Sequence, residues 1–140
     1  MVEDNKNIKI SVVMIDGDFR EKVFGANYFS QQTFPDEEYE IIWVDYFDKI
    51  HPDILSNPKV KAICLDKKGI YHSSYCFNRG INQARGELIV IPDADLVVLP
   101  DFLDRVWELH QTYEKLVVYG YRYDEVQEGI LESLDFKELE

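Results

Sequence analysis

The sequence is poor in basic residues and has no long apolar run. Its 140 residues contain 27 Asp and Glu against 15 Lys and Arg, giving a formal net charge of −12 and a pI near 4.6. Proteins that bind duplex nucleic acid neutralise phosphates with Lys and Arg, so we expect no nucleic-acid partner. No run approaches the ~20 apolar residues that cross a bilayer, so we expect no transmembrane segment.

Cysteine is also scarce. Cys64 and Cys76 do not form a Cys-x-x-Cys pair, and no histidine lies at zinc-ligand spacing from them. Their apolar and aromatic neighbours predict two buried free thiols, which is typical of a reducing compartment. The first residues lack the basic start and apolar stretch of a signal peptide. We therefore expect a cytoplasmic location.

Several catalytic motifs are missing. The chain has no Gly-x-Gly-x-x-Gly and no Walker-type loop, which argues against a dinucleotide oxidoreductase and a P-loop enzyme. No Gly-x-Ser-x-Gly surrounds Ser73 or Ser74, which are better helix caps than nucleophiles. His51, His72 and His110 have no partners at triad or zinc spacing.

The remaining pattern alternates between strand and helix. An apolar share of 46% and an aromatic share of 14% are enough for one domain with a sizeable core. Apolar runs predict strands at residues 8–15, 39–45, 60–65, 88–91 and 116–121. Helical spacing and capping signals predict helices at residues 19–32, 73–84, 100–113 and 125–139, with a loop or short helix at 48–58. We predict an α/β fold with a doubly wound, mostly parallel sheet of about five strands and flanking helices.

Acidic residues follow three of these strands. Asp16 and Asp18 follow the first strand, Asp45 ends the second, and Asp93 and Asp95 follow the fourth. The carboxyl ends of parallel strands share one edge of the sheet, where ligands bind. Neighbouring carboxylates repel each other unless a cation or donors stabilise them, and such pairs hold Mg²⁺ or Mn²⁺ with substrate phosphates. The residues alone leave open an ordinary turn at Asp93 and Asp95, where aspartates cap backbone groups.

Several segments together resemble the family 2 glycosyltransferases of the GT-A fold, and their order and spacing fit from about residue 8 to 121. The matching segments are residues 11–14 (the opening strand), 32–34 and 39–45 (Gln-Thr and Glu-Ile-Ile-Val-Val-Asp), 78–89 (Asn-x-Gly to Ala-x-Gly-Glu), 92–95 (Asp-x-Asp) and 100–103 (Pro-x-x-Leu). The resemblance implies a single nucleotide-diphospho-sugar-binding domain over residues 1–140, lacking the acceptor-binding half.

The resemblance also implies a role for each acid. Asp95 would hold a divalent cation, Mn²⁺ or Mg²⁺, that bridges the donor diphosphate. Asp93 would contact the ribose or a metal-bound water. Asp45 would accept from the imino N–H of the base, which suits uracil, and Asp16 and Asp18 would border the nucleoside. The implied reaction is inverting transfer of a sugar from a UDP-linked donor to a saccharide or other hydroxyl acceptor.

The sequence departs from the family pattern at several positions. Residues 15–18 stand where many members have Pro-x-Tyr-Asn, Tyr46 replaces a second Asp, and Phe77 precedes Asn78 where Arg is frequent. By the same resemblance, Arg79 would approach a phosphate. The alternative for Arg79 is a solvated helix face, because long basic side chains are mostly exposed.

No catalytic base is assigned, and two other functions stay open. Glu125, Glu128 and Glu132 in the last predicted helix are more typical of a solvated acidic face. One alternative is a non-catalytic nucleotide-binding or interaction module. The other is a haloacid-dehalogenase-like phosphatase, whose Asp-x-Asp box Asp93 and Asp95 also resemble, with Asp93 as nucleophile. An unpaired edge at the fifth strand would invite a homodimer or a partner chain.

Overall fold

The computed structural model describes residues 7–120 and shows a four-stranded, all-parallel sheet with the order β3-β2-β1-β4. The strands are β1 (Ile10–Asp16), β2 (Tyr39–Asp45), β3 (Val60–Cys64) and β4 (Leu88–Val90). The helices are α1 (Gly25–Phe29), α2 (Pro52–Leu55), α3 (Ser73–Gln83) and α4 (Phe102–Thr112). Within these residues no helix is both long and apolar enough to cross a bilayer.

Helices cover both faces of the sheet. On one face α1 and α4 contribute Phe29 and Leu103 to a core that includes Trp43 of β2. On the opposite face Cys76 of α3 packs with Val44 of the same strand. Trp43 and Val44 point to opposite faces because side chains alternate along a strand. The predicted doubly wound α/β fold is therefore confirmed.

The strand order reverses beside β1. From β1 the chain moves outward through β2 to β3, and it then returns to place β4 on the other side of β1. In such sheets ligands bind outside the carboxyl ends of the strands at the point of reversal. That point lies between the residues after β1 and those after β4.

A buried glutamine joins three segments on one side of the sheet. Gln32 Nε2 donates to Tyr28 O at 3.1 Å and to Leu99 O at 3.0 Å, and its Oε1 accepts from the Leu103 N–H at 3.0 Å. The last contact satisfies one of the free N–H groups in the first turn of α4. Gln32 thus fixes α4, and the loop leading to it, against the end of α1.

The first predicted helix is much shorter than expected. We predicted residues 19–32 with Asp18 as the N-cap, whereas α1 begins at Gly25 after the N-cap Phe24. Asp18 has a φ of 60°, which is left-handed and unlike the extended backbone of an N-cap residue. The residues between them form a loop that returns over the end of β1, and this loop carries Arg20.

The fifth predicted strand is absent from the described part of the chain. Residues 116–120 have no strand structure and are exposed. Val117 and Tyr119 keep 72% and 89% of their surface exposed. An apolar run becomes a strand only where a neighbour pairs with its backbone, and no strand within residues 7–120 does so here. Residue 121 and the predicted helix at 125–139 lie outside the described residues.

Two local predictions are also wrong. Cys64 is exposed, because β3 lies at an edge of the sheet, and only Cys76 is buried. Neither Ser73 nor Ser74 caps α3, since His72 occupies the N-cap position without a side-chain hydrogen bond.

Gln32→Ala should destabilise the protein by about 2–3 kcal/mol, because the N–H of Leu103 and the two carbonyls would lose a buried partner. Urea unfolding followed by circular dichroism measures this change. Gln31→Ala is the matched control, since Gln31 is exposed, and it should change stability by less than about 0.5 kcal/mol. Equal effects of the two substitutions would contradict the role given to Gln32.

Candidate functional site

Three aspartates meet at the ends of β1 and β2. In the parallel register Asp16 is the partner of Asp45, so the last residues of the two strands lie side by side. The left-handed backbone at Asp18 turns the loop back toward them. One carboxylate oxygen from each of the three residues lies within 4.8 Å of the other two. The predicted convergence of these acids is therefore observed.

The Asp93–Asp95 loop follows β4 on the neighbouring side of β1. The Gly25 N–H donates to Ala94 O at 2.9 Å, and the Leu96 N–H donates to Asp93 O at 3.2 Å. A Cβ at position 25 would lie 2.6 Å from Ala94 O, so this approach requires glycine. The side chains of Asp93 and Asp95 are 48% and 50% exposed. The turn is held by backbone bonds, and both carboxylates remain accessible to a ligand.

Arg20 connects the two groups of acids. Its guanidinium nitrogens lie 3.7 Å from Asp16 Oδ1, 3.8 Å from Asp93 Oδ1 and 3.9 Å from Asp95 Oδ1. Its Nη1 also donates to Ile15 O at 3.3 Å. The acids that follow β1, β2 and β4 therefore share one rim. Sequence reasoning missed Arg20, because a single arginine in a loop belongs to no motif.

The deepest of these acids is Asp45. Its exposed fraction is 0% and that of Asp16 is 3%. Of the four buried side-chain atoms without a hydrogen-bond partner in the described part, three are Asp16 Oδ1 and the two Asp45 oxygens. Burial first, and then the Asp18 and Asp16 carboxylates, raise the pKa of Asp45 to about 7. The nearby Lys49 backbone N–H acts in the opposite direction and partly lowers that pKa.

The pKa of Asp16 is raised as well, mainly by burial. The Gly17 N–H and the Arg20 charge act in the opposite direction. The rim therefore holds negative charge close together with little compensation, which is typical of a site that receives a cation or hydrogen-bond donors.

An open cleft of about 340 Å³ borders the rim. Asp18 lies in its wall, so the cleft and the acids form one continuous surface. The other lining residues are Phe47, Asp48, Lys49, Asp66, Lys67, Lys68 and Gly69. Its volume is at the lower end of the ~300–1,000 Å³ range of small-molecule sites.

Arg79 does not join this group. It is exposed on α3, and it forms no ion pair within residues 7–120. Its phosphate contact stays a prediction, and the solvated helix face matches its surroundings.

The donor set at Asp93 and Asp95 fits a hard divalent cation. Two exposed carboxylates one residue apart offer the oxygen ligands that Mg²⁺ and Mn²⁺ prefer, and such ions usually complete their coordination with water and substrate phosphates. The Arg20 guanidinium near both carboxylates shows that the position already accommodates positive charge.

The chain is similar to known glycosyltransferases. The sequence model of glycosyl transferase family 2 matches residues 28–135. The "Uncharacterized glycosyltransferase YfnE" of Bacillus subtilis (strain 168) is 24% identical over 122 residues, which cover 81% of this chain and 30% of that protein. The crystal structure of S. aureus TarS 1-349 superposes with a TM-score of 0.64 at 19% identity. The match covers 75% of this chain and 33% of the TarS 1-349 chain, and it shows the same fold. The chain thus spans about a third of each.

Replacing Asp45 should change how stability depends on pH in metal-free protein. Because its pKa is about 7 in the native state and near 4 when unfolded, the native protein binds more protons between these values, and stability falls as pH rises through this window. Asp45→Asn should flatten this slope and stabilise the protein at pH 8 by roughly 1–2 kcal/mol. Urea unfolding at a series of pH values, with a chelator present, measures both. An unchanged slope would contradict the assignment.

Proposed function

The chain belongs to glycosyl transferase family 2, and on that premise we propose that residues 1–140 form the donor-binding domain of a glycosyltransferase. The donor is a nucleotide-diphosphate sugar, UDP-linked, bound with Mn²⁺ or Mg²⁺, and the reaction is inverting transfer to a saccharide or other hydroxyl acceptor. One observation carries the proposal: carboxylates from three strand ends share a rim with Arg20 at the point where strand order reverses. We assign neither the catalytic base nor the acceptor site.

Asp95 and Asp93 are the residues that would hold the cation. A divalent ion there supplies charge that offsets the negative charge developing on the departing nucleoside diphosphate. Arg20 is an additional candidate for phosphate binding. Its planar guanidinium presents several N–H donors that suit phosphate oxygens, and it lies between the two groups of acids.

The nucleoside is proposed to occupy the cleft beside Asp18. Phe47 offers a ring to the base, and Lys67 and Lys68 bring positive charge to the same wall. The contact between Asp45 and the base imino N–H remains a prediction. Because Asp45 is fully buried, a base would reach it only after neighbouring side chains move. Asp16 is nearly as buried, so Asp18 is our first candidate for direct contact.

The alternatives differ in what they require. The phosphatase would carry Asp93 and Asp95 after its first strand, whereas here they follow β4, and the family match does not favour it. A non-catalytic nucleotide-binding module would use the same rim without turnover. Donor binding is therefore common to the transferase and the non-catalytic module, which turnover of the donor separates, and Mg²⁺-dependent release of phosphate from a phosphoester would identify the phosphatase.

UDP with Mn²⁺ should raise the melting temperature of the protein, because a ligand that binds only the native state stabilises it, by about 2.7 kcal/mol at a hundred times Kd. Asp95→Asn should weaken Mn²⁺-dependent UDP binding at least about tenfold, which corresponds to about 1.4 kcal/mol. Calorimetric titration and thermal unfolding measure the two effects.

Asp53→Asn is the matched control, because Asp53 is 81% exposed on α2 and should leave UDP binding unchanged. No UDP-dependent stabilisation with Mn²⁺, or equal affinity in wild-type protein and Asp95→Asn, would overturn the donor site.

A further inference from the structure

We propose that Tyr71 is a positioning residue for donor binding: its ring holds the loop after β1 so that the Arg20 guanidinium lies where the donor diphosphate binds. The inference rests on the proposed function, in which Arg20 is a candidate for phosphate binding. Tyr71 lies just before α3, in a segment to which that function gives no role. It acts through Arg20 and makes no contact of its own with the donor.

The loop segment that carries Arg20 has little backbone support. Residues 17–20 form no backbone–backbone hydrogen bond within the described part of the chain. Arg20 Nη1 donates to Ile15 O at 3.3 Å, but the guanidinium comes no closer than 3.7 Å to any of the three carboxylates beside it. Such long ion pairs fix a flexible side chain poorly. Other contacts must therefore hold the arginine in place.

Aromatic contacts supply this support. The rings of Tyr71 and Phe19 meet edge to face with their centroids 5.2 Å apart. The guanidinium carbon of Arg20 lies 4.8 Å from the centroid of the Phe19 ring. Both separations are within the ranges of favourable aromatic pairs and cation–π contacts. Tyr71 thus supports Phe19, and Phe19 supports Arg20.

Tyr71 also covers the backbone of the same loop. A Cβ at position 17 would lie 2.4 Å from Tyr71 Cδ2, so the ring rests directly on Gly17. The φ of Gly17 is not positive. The close approach of the ring, and not the backbone conformation, therefore requires glycine at this position.

The sheet holds Tyr71 in turn. Its ring meets the ring of Tyr46 edge to face at 5.3 Å, and Tyr46 is buried. The Tyr46 N–H donates to Asp16 O at 2.9 Å, which continues the pairing of β1 with β2. Contacts therefore run from the paired strand ends through Tyr71 to Arg20. A binding group keeps its geometry only when packed neighbours support it in this way.

The test is calorimetric titration of the whole chain with UDP in the presence of Mn²⁺. Tyr71→Ala should weaken UDP binding about tenfold, and Arg20→Ala should weaken it at least as much. Because Tyr71 acts through Arg20, Tyr71→Ala should cost less than about twofold in a protein that already carries Arg20→Ala. A merely structural role would weaken binding by the same factor in both backgrounds.

Two further variants isolate the ring of Tyr71. Tyr71→Phe keeps the ring and should retain UDP affinity within about twofold, whereas a hydroxyl that touched the donor would make this variant as weak as Tyr71→Ala. Phe77→Ala is the matched control, since Phe77 is a half-buried ring that packs on the same apolar cluster as Tyr71. It should leave UDP affinity within about twofold.

Gly17→Ala disturbs the same contact from the side of the loop, because its methyl group would push the loop away from the ring. It should also weaken UDP binding, and it decides the question if near-ultraviolet circular dichroism shows that Tyr71→Ala does not fold. Unchanged affinity in the deciding variant, a full additional loss in the Arg20→Ala background, or equal losses in Tyr71→Phe and Tyr71→Ala would overturn the role of Tyr71 alone. Wild-type protein that binds no UDP with Mn²⁺ would overturn the donor site, and this proposal with it.

Discussion

The parallel pairing of β1 with β2 places two aspartates side by side at one edge of the sheet, where their negative charges repel each other. Seven consecutive residue pairs fix the register, and the last of them sets Asp16 beside Asp45. A shift by one residue would move the core side chains of the strand to the other face, so the hydrophobic core holds the two carboxylates together. Burial of apolar residues thus provides the free energy that keeps like charges close, and Arg20 and Asp18 lie beside the resulting pair.

Close backbone contacts also hold the loop after β4 in place. The loop rests on α1 through the Gly25 N–H, where no side chain has room. The same region is tied to α4 by Gln32, which bonds to backbone groups of three segments. Asp93 and Asp95 are therefore exposed side chains on a firmly held backbone. Such a combination suits a binding site, because binding groups on a rigid backbone lose little conformational entropy when they bind a substrate or a metal ion.

Much of the sheet was predictable from the sequence, and the site only in part. Nearly continuous apolar strands with acids at their ends specify a parallel sheet and the edge at which the acids gather, because both follow from local periodicity and chirality. The irregular loop at residues 17–24 could not be predicted, since its apolar spacing resembles a helix while tertiary contacts override it. Arg20 lies in this loop and belongs to no sequence motif, so its contacts with the acids were missed. Cys64 and residues 116–120 are exposed because of which strands pair in the sheet. The local sequence pattern does not encode that pairing.

The exposed thiol of Cys64 on the edge strand β3 allows a probe to be attached at one site. Cys64 is accessible, whereas burial protects Cys76 and raises the pKa of its thiol to about 11. In the register of β2 with β3, Cys64 is the partner of Asp45. A fluorophore or spin label attached to the native protein would therefore report from one strand away on whatever occupies the acidic rim, without any engineered cysteine.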